Sequence, residues 1–140
     1  MDVLYTAEAL ATGGGRNGHV TTVDGIINSD VRVPKEMGGE GGAPNPELYF
    51  AAGYAACFHS ALQSVARAQK VTLSDTSVGS RVQIGPNGEG GFQLAVQLEV
   101  VIPDMEHDKA QALADAAHQV CPYSNATRGN IEVTVTVVED

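Results

Sequence analysis

The chain has 140 residues, 43% of them hydrophobic, and a formal net charge of −9. That length suits one domain with a sizeable core, and the composition excludes the disordered and bilayer-spanning classes. The few Lys and Arg form no cluster, so neither nucleic acid nor a membrane surface is an expected partner. The opening residues, MDVLYTAEAL, have no basic start and no long apolar run, so no secretory leader is expected. With two cysteines and no such leader, the expected compartment is reducing and cytoplasmic.

Residues 3–10 (VLYTAEAL) read as a first strand, and 11–18 (ATGGGRNG) as a glycine-rich connection. His19–Val23 and Ile26–Val33 follow as strands around an Asp24-Gly25 hairpin turn. Lys35–Pro44 is too rich in glycine for helix or strand. Asn45 can then cap a helix, with Pro46 at its first position and Glu47 in the first turn, where the helix dipole favours an anion. From Leu48 to Ala61 this helix is apolar on almost every side, and it extends to about Lys70. Such a helix is normally buried on every side.

Thr72–Ile84 reads as a strand, and Pro86–Gly91 as a turn. From Phe92 to Ile102 apolar and other residues alternate, the clearest strand in the chain. Asp104 can cap a second helix whose stripe is Met105, Ala110, Leu113, Ala114, Ala117, Val120 and Cys121, ended by Pro122. A loop, PYSNATRGN, leads to a last strand, Ile131–Val138. The order points to an α+β fold, one domain over residues 1–140, with antiparallel sheets packed around a buried central helix. One sheet covers one side of that helix. A second copy of the chain is expected to cover the rest, making a homodimer.

Gly13-x-Gly15-x-x-Gly18 matches a dinucleotide fingerprint in letters, but strand residues follow where the fingerprint needs a helix. The run reads better as a connection that presents Arg16. Cys57, His59, His118 and Cys121 have the residue types of a tetrahedral zinc site. Cys57 and His59, two apart on one helix, point in nearly opposite directions, which argues against it. No GxSxG occurs to support a serine hydrolase. Two thiols remain. A buried cysteine is inert unless a positive group favours its thiolate, and Arg16 and Arg128 lie in loops able to supply one. At this level an inert core pair and a reactive pair both stand.

NPELYFAAGYAACF around Cys57 and AHQVCPYSNATRGNI around Cys121 strongly resemble the organic hydroperoxide resistance proteins, a branch of the osmotically inducible (OsmC/Ohr) peroxidase family. The resemblance runs from LYTAEALATGGGRNG through GGEGGAPNPE to the last strand. It implies an α+β OsmC-like fold, an intertwined homodimer, and a metal-free thiol peroxidase of the oxidative stress response. By motif match Cys57 would be the peroxidatic cysteine, Cys121 the resolving one, Arg16 the active-site arginine and Glu47 its carboxylate partner.

The implied cycle starts from a Cys57 thiolate favoured by Arg16, which Glu47 grips. Attack on an organic hydroperoxide leaves a sulfenic acid, and Cys121 closes a disulfide. No bound cofactor is expected. The implied reductant is external: dihydrolipoamide or a lipoylated protein. Ten residues of helix separate Glu47 from Cys57 by about 15 Å, so either Arg16 bridges them or the helix bends near Gly53. Phe50, Tyr54, Phe58, Met37 and Tyr123 flank the cysteines in sequence and are candidate apolar walls. The alternatives are a redox sensor switched by the same disulfide without turnover, and a zinc-stabilised module.

Overall fold

A computed structural model describes residues 1–139. Contacts divide the chain into two compact units, residues 1–49 and the part from Phe50 onward.

The first unit holds a three-stranded sheet, β1 (Ala9–Thr12), β2 (His19–Thr22) and β3 (Asn28–Asp30), in antiparallel order β1-β2-β3. The strand expected over residues 3–10 starts only at Ala9, because its partner ends at Thr22. One further bond, from Val23 N–H to the Glu8 carbonyl, closes the ladder. The hairpin turn is wider than Asp24-Gly25. Thr22 N–H donates to the Ile27 carbonyl at 2.8 Å, and Asp24 Oδ1 accepts from Ile26 N–H at 3.0 Å and from the Thr22 hydroxyl at 2.6 Å. Ile26 and Ile27 are thereby spent in the turn. Past Asp30 one more bond, from Val31 N–H to the Gly18 carbonyl, closes this ladder, and the chain then leaves it, with Arg32 N–H donating to the Pro44 carbonyl. A short 3₁₀ turn, Lys35–Met37, interrupts the expected loop.

Helix α1 (Pro46–Ala68) starts as its sequence predicts, with Leu48 N–H donating to Asn45 Oδ1 at 2.8 Å. It ends in a Schellman motif. Lys70 takes a left-handed φ of 59°, its N–H donates to Arg67 and that of Val71 to Ala66. The helix buries Tyr54, Phe58, Ala61, Leu62 and Ala66. Burial is not all-round, however: Leu48, Ala52, Ala56 and Ser60, each four residues from the last, lie exposed in the single chain.

In the second unit β4 (Ser77–Pro86) and β5 (Phe92–Val101) form a hairpin whose turn Asn87 organises, its Oδ1 accepting from Glu89 and Gly91 N–H. The strand expected from Thr72 begins five residues later, past a left-handed Asp75 at φ 56°. Asp104 is not a helix cap. It has φ 60° and sits in the turn before α2 (His107–Val120), whose N-cap is Glu106. The expected loop PYSNATRGN is instead largely helix α3 (Pro122–Thr127), because Pro122 ends α2 and serves as the first residue of the next helix. The last strand, β6 (Val133–Val137), is shorter than expected and runs parallel to β5, which places β5 centrally in the order β4-β5-β6.

One core joins these elements: the buried face of α1, Val96, Leu98 and Val100 of β5, Ala110, Leu113, Ala114 and Ala117 of α2, Val137 of β6, and Cys121. Val96, Leu98 and Val100 face inward while Gln97 and Glu99 face out, as the period-two pattern requires. Among the described residues no helix is long and apolar enough to cross a membrane.

Candidate thiol active site

Cys57 lies at the middle of α1 and is half-buried; Cys121 lies at the α2–α3 junction and is fully buried. Their sulfurs are 3.5 Å apart, with the Cys121 thiol donating toward Cys57 Sγ. Cys121 can meet Cys57 because Pro122 forces it out of helical geometry, to φ −63° and ψ 123°. Both thiols are reduced. Burial pushes the Cys57 thiol above its ordinary pKa, and Cys121 adds to that; the backbone N–H of Tyr123 pulls the other way. The Cys57 thiol is therefore favoured over its thiolate, and thiolate formation there needs more positive surroundings than its neighbours supply.

Arg16 and Glu47 form a second pair, within the first unit. The guanidinium grips the carboxylate in a two-point fork, Nη1 to Oε2 and Nη2 to Oε1, both at 2.8 Å. This bonding raises the Arg16 pKa and holds the Glu47 carboxyl below the usual carboxylate range. Arg16 sits in a 3₁₀ turn, Gly15–Asn17, whose base is pinned by Arg32 Nη1 donating to the Gly18 carbonyl at 3.0 Å and by Val33 N–H donating to Asn17 Oδ1 at 3.2 Å. Of the four residues singled out in the sequence, two close pairs result: Arg16 with Glu47, and Cys57 with Cys121. Helix α1 runs through Gly53 without a break.

Residues 39–136 match the family described as OsmC-like protein. The chain belongs to the OsmC-like family. It is 50% identical over 137 residues to a protein of Xanthomonas axonopodis pv. citri named organic hydroperoxide resistance protein, with 96% of this chain and 95% of that one covered. It is 45% identical over 132 residues to organic hydroperoxide resistance protein OhrB of Bacillus subtilis, covering 93% and 95%. The crystal structure of an organic hydroperoxide resistance protein from Elizabethkingia anophelis superposes with a TM-score of 0.94 at 51% identity, covering 100% of both chains. The α+β architecture described above is thus the OsmC-like fold.

Around the thiols this OsmC-like chain gathers three of the expected apolar walls, and beside them a polar cluster that its sequence did not announce. Phe50, Tyr54 and Tyr123 pack as three rings with centroids 5.7–6.0 Å apart. Gly53 makes room for them: a Cβ there would lie 2.9 Å from Tyr123 Oη. Tyr54 is core rather than an open wall, and so is Phe58, which lies against the His118 ring. Met37 lies in the first unit and is exposed. The imidazole of His59 bonds to Thr76 Oγ1 at 2.8 Å, and that of His118 to Ser124 Oγ at 2.7 Å. Arg128 turns back to donate to the His118 carbonyl at 2.6 Å and to Asn125. The Ser and Thr of YSNAT were the one available signal for this polar cluster.

Proposed function

We propose that this OsmC-like chain is a thiol peroxidase that reduces organic hydroperoxides through Cys57 and Cys121. The observation that carries the reading is the 3.5 Å approach of the two reduced sulfurs, in a chain whose full-length relatives bear the name organic hydroperoxide resistance protein. In the first step the Cys57 thiolate attacks one peroxide oxygen and the O–O bond breaks. The organic part leaves as an alkoxide that takes up a proton to become an alcohol, and Cys57 is oxidised to a sulfenic acid. In the second, Cys121 sulfur bonds to Cys57 sulfur, and the sulfenic hydroxyl leaves with a proton as water. An external dithiol, of the dihydrolipoamide or protein-lipoyl class, then reduces the disulfide and is itself oxidised to a cyclic disulfide.

Arg16 supplies the positive charge that the Cys57 thiolate and the departing oxygen call for, and Glu47 orients its guanidinium. Support for these roles comes from the motif match and from the two-point ion pair. The working form is a homodimer. The exposed line Leu48, Ala52, Ala56 along α1 is mostly small apolar residues, which lets another backbone approach closely, and Leu4, Tyr5, Leu10, Ile26 and Phe92 are also exposed.

The test is steady-state consumption of cumene hydroperoxide with dihydrolipoamide, beside hydrogen peroxide. Many turnovers biased to the organic peroxide are expected, abolished by Cys57→Ser. Cys121→Ser should keep one oxidation and lose dithiol-supported turnover. A single equivalent consumed, with dihydrolipoamide present, would replace the enzyme by a stoichiometric sensor.

A further inference from the structure

Beneath the thiols lies a line of buried polar groups that the cycle above does not use. His118 Nδ1 is 2.7 Å from Ser124 Oγ; Ser124 Oγ is 2.8 Å from Tyr54 Oη; Tyr54 Oη is 3.1 Å from Thr127 Oγ1. Thr127 Oγ1 in turn reaches the backbone carbonyls of Tyr123 at 3.1 Å and Ser124 at 3.2 Å. Tyr54 and Ser124 are fully buried, and Thr127 nearly so.

With the Thr127 hydroxyl as donor to those carbonyls, counting protons orients the other bonds. Each hydroxyl has one hydrogen to give, and a carbonyl can only accept. Thr127 donates to the carbonyls. Tyr54, left with Thr127 as its acceptor, donates there. Ser124 therefore donates to Tyr54, and its remaining neighbour, His118 Nδ1, must donate to Ser124. The neutral imidazole is then the Nδ1–H tautomer, with no proton on Nε2. Burial, chiefly, and Arg128 hold His118 below its ordinary pKa, which fits a neutral ring.

The line touches every segment that carries a thiol. Tyr54 is one helical turn before Cys57 on α1, His118 one turn before Cys121 on α2, and Ser124 is in the first turn after Cys121, on α3. Resting on the peroxidase reading, we propose that His118, Ser124, Tyr54 and Thr127 form a one-way hydrogen-bond chain that positions Cys121 for attack on the oxidised Cys57. They are positioning residues; none touches the reacting atoms. The sulfurs must close from 3.5 Å to a bonded distance of about 2 Å. Cys57 is fixed in mid-helix, so Cys121 makes the approach, and the chain limits where α3 can carry it.

The experiment reads how the Cys57 sulfenic acid partitions. With excess cumene hydroperoxide it either closes to the disulfide or takes a second oxidation to sulfinic acid, and mass spectrometry counts both. Ser124→Ala and Thr127→Val should raise the sulfinic share about fivefold, the factor that one hydrogen bond commands, while the first oxidation keeps its rate. Thr127→Ser, which keeps the hydroxyl, and His118→Asn, whose amide replaces the Nδ1 donor, should return the wild-type partition. Rescue by Thr127→Ser separates the lost hydroxyl from a loss of stability alone. Nitrogen NMR of the folded protein should show His118 protonated at Nδ1 and bare at Nε2. A wild-type partition in folded Ser124→Ala, or a His118 ring protonated at Nε2 alone, would overturn the proposal. If wild-type protein consumes no hydroperoxide, the peroxidase reading fails by itself. The chain is then judged by diamide-driven closure of Cys57 with Cys121: slowing in Ser124→Ala upholds it, and an unchanged rate overturns it.

Discussion

The Arg16–Glu47 fork can be weighed by a double-mutant cycle. Its two contacts are both 2.8 Å, Glu47 is 14% exposed and Arg16 40%. Exposure of the arginine allows water and salt to screen part of the attraction, so a coupling of about 1 kcal/mol is expected, the upper end for pairs at a surface. Glu47 also stands in the first turn of α1, where an anion is stabilised by about 0.5 kcal/mol more. Glu47→Gln should therefore cost about 1.5 kcal/mol in all, and Arg16→Met about 1 kcal/mol. The double variant should cost about 1 kcal/mol less than the sum of the singles. Urea unfolding of the four proteins at pH 7 measures this. The acid limb adds a signed check. The folded Glu47 pKa lies below its unfolded value of about 4.3. The stabilisation is therefore fully present above that pH and is lost as pH falls through the lower folded value. A coupling below about 0.2 kcal/mol at pH 7, or one that fades between pH 7 and 5, would refute the reasoning.

Gly53→Ala should gain close to 1 kcal/mol of helix propensity yet slow Cys57–Cys121 closure, because its Cβ displaces Tyr123, whose backbone N–H supports Cys57. A higher melting temperature with unchanged closure would make Tyr123 a bystander. Lys70→Gly should raise stability by about 1 kcal/mol by relieving the left-handed φ of 59° at the end of α1, read by thermal unfolding; a loss would argue against that cap. Asn45→Ala should cost about 1 kcal/mol through the missing bond to Leu48 N–H, measured in urea. The unfolded chain protonates His118 before the folded one, so stability should fall as pH drops below about 6.5 and level off once the folded value is passed. His118→Asn should flatten that slope, as pH-dependent melting would show.

Much of this was legible in the residues. Asn45-Pro46 announced α1 because a cap and a first-turn proline are local chemistry. The alternation from Phe92 to Ile102 announced β5 because burial of one sheet face imposes period two. Where the sequence misled, partners decided the outcome. VLYTAEAL has strand character, but the strand beside it ends at Thr22, and pairing cannot outrun its partner. Pro122 was a sound stop signal for α2, but the same ring geometry starts α3, and composition does not say which use prevails. The thiol pair was recognisable from its two motifs. The run from His118 to Thr127 was not, since a hydrogen-bond chain depends on atoms brought together from α1, α2 and α3.

The parallel pairing of β6 with β5 bears on how the molecule comes into being. A parallel partner cannot be reached by a tight turn. Between Val96 and its mate Val133 the chain must first lay down α2 and α3, with Cys121 between them. Contacts that join distant parts of a chain form slowly. A nascent chain that ends before Val133 lacks the strand that anchors this crossover, so Cys121 has no fixed place beside Cys57. The approach of Cys121 to Cys57 therefore waits for Val133–Val137, and a chain that stops before Val133 should fold its β4–β5 hairpin yet carry two cysteines that do not find each other.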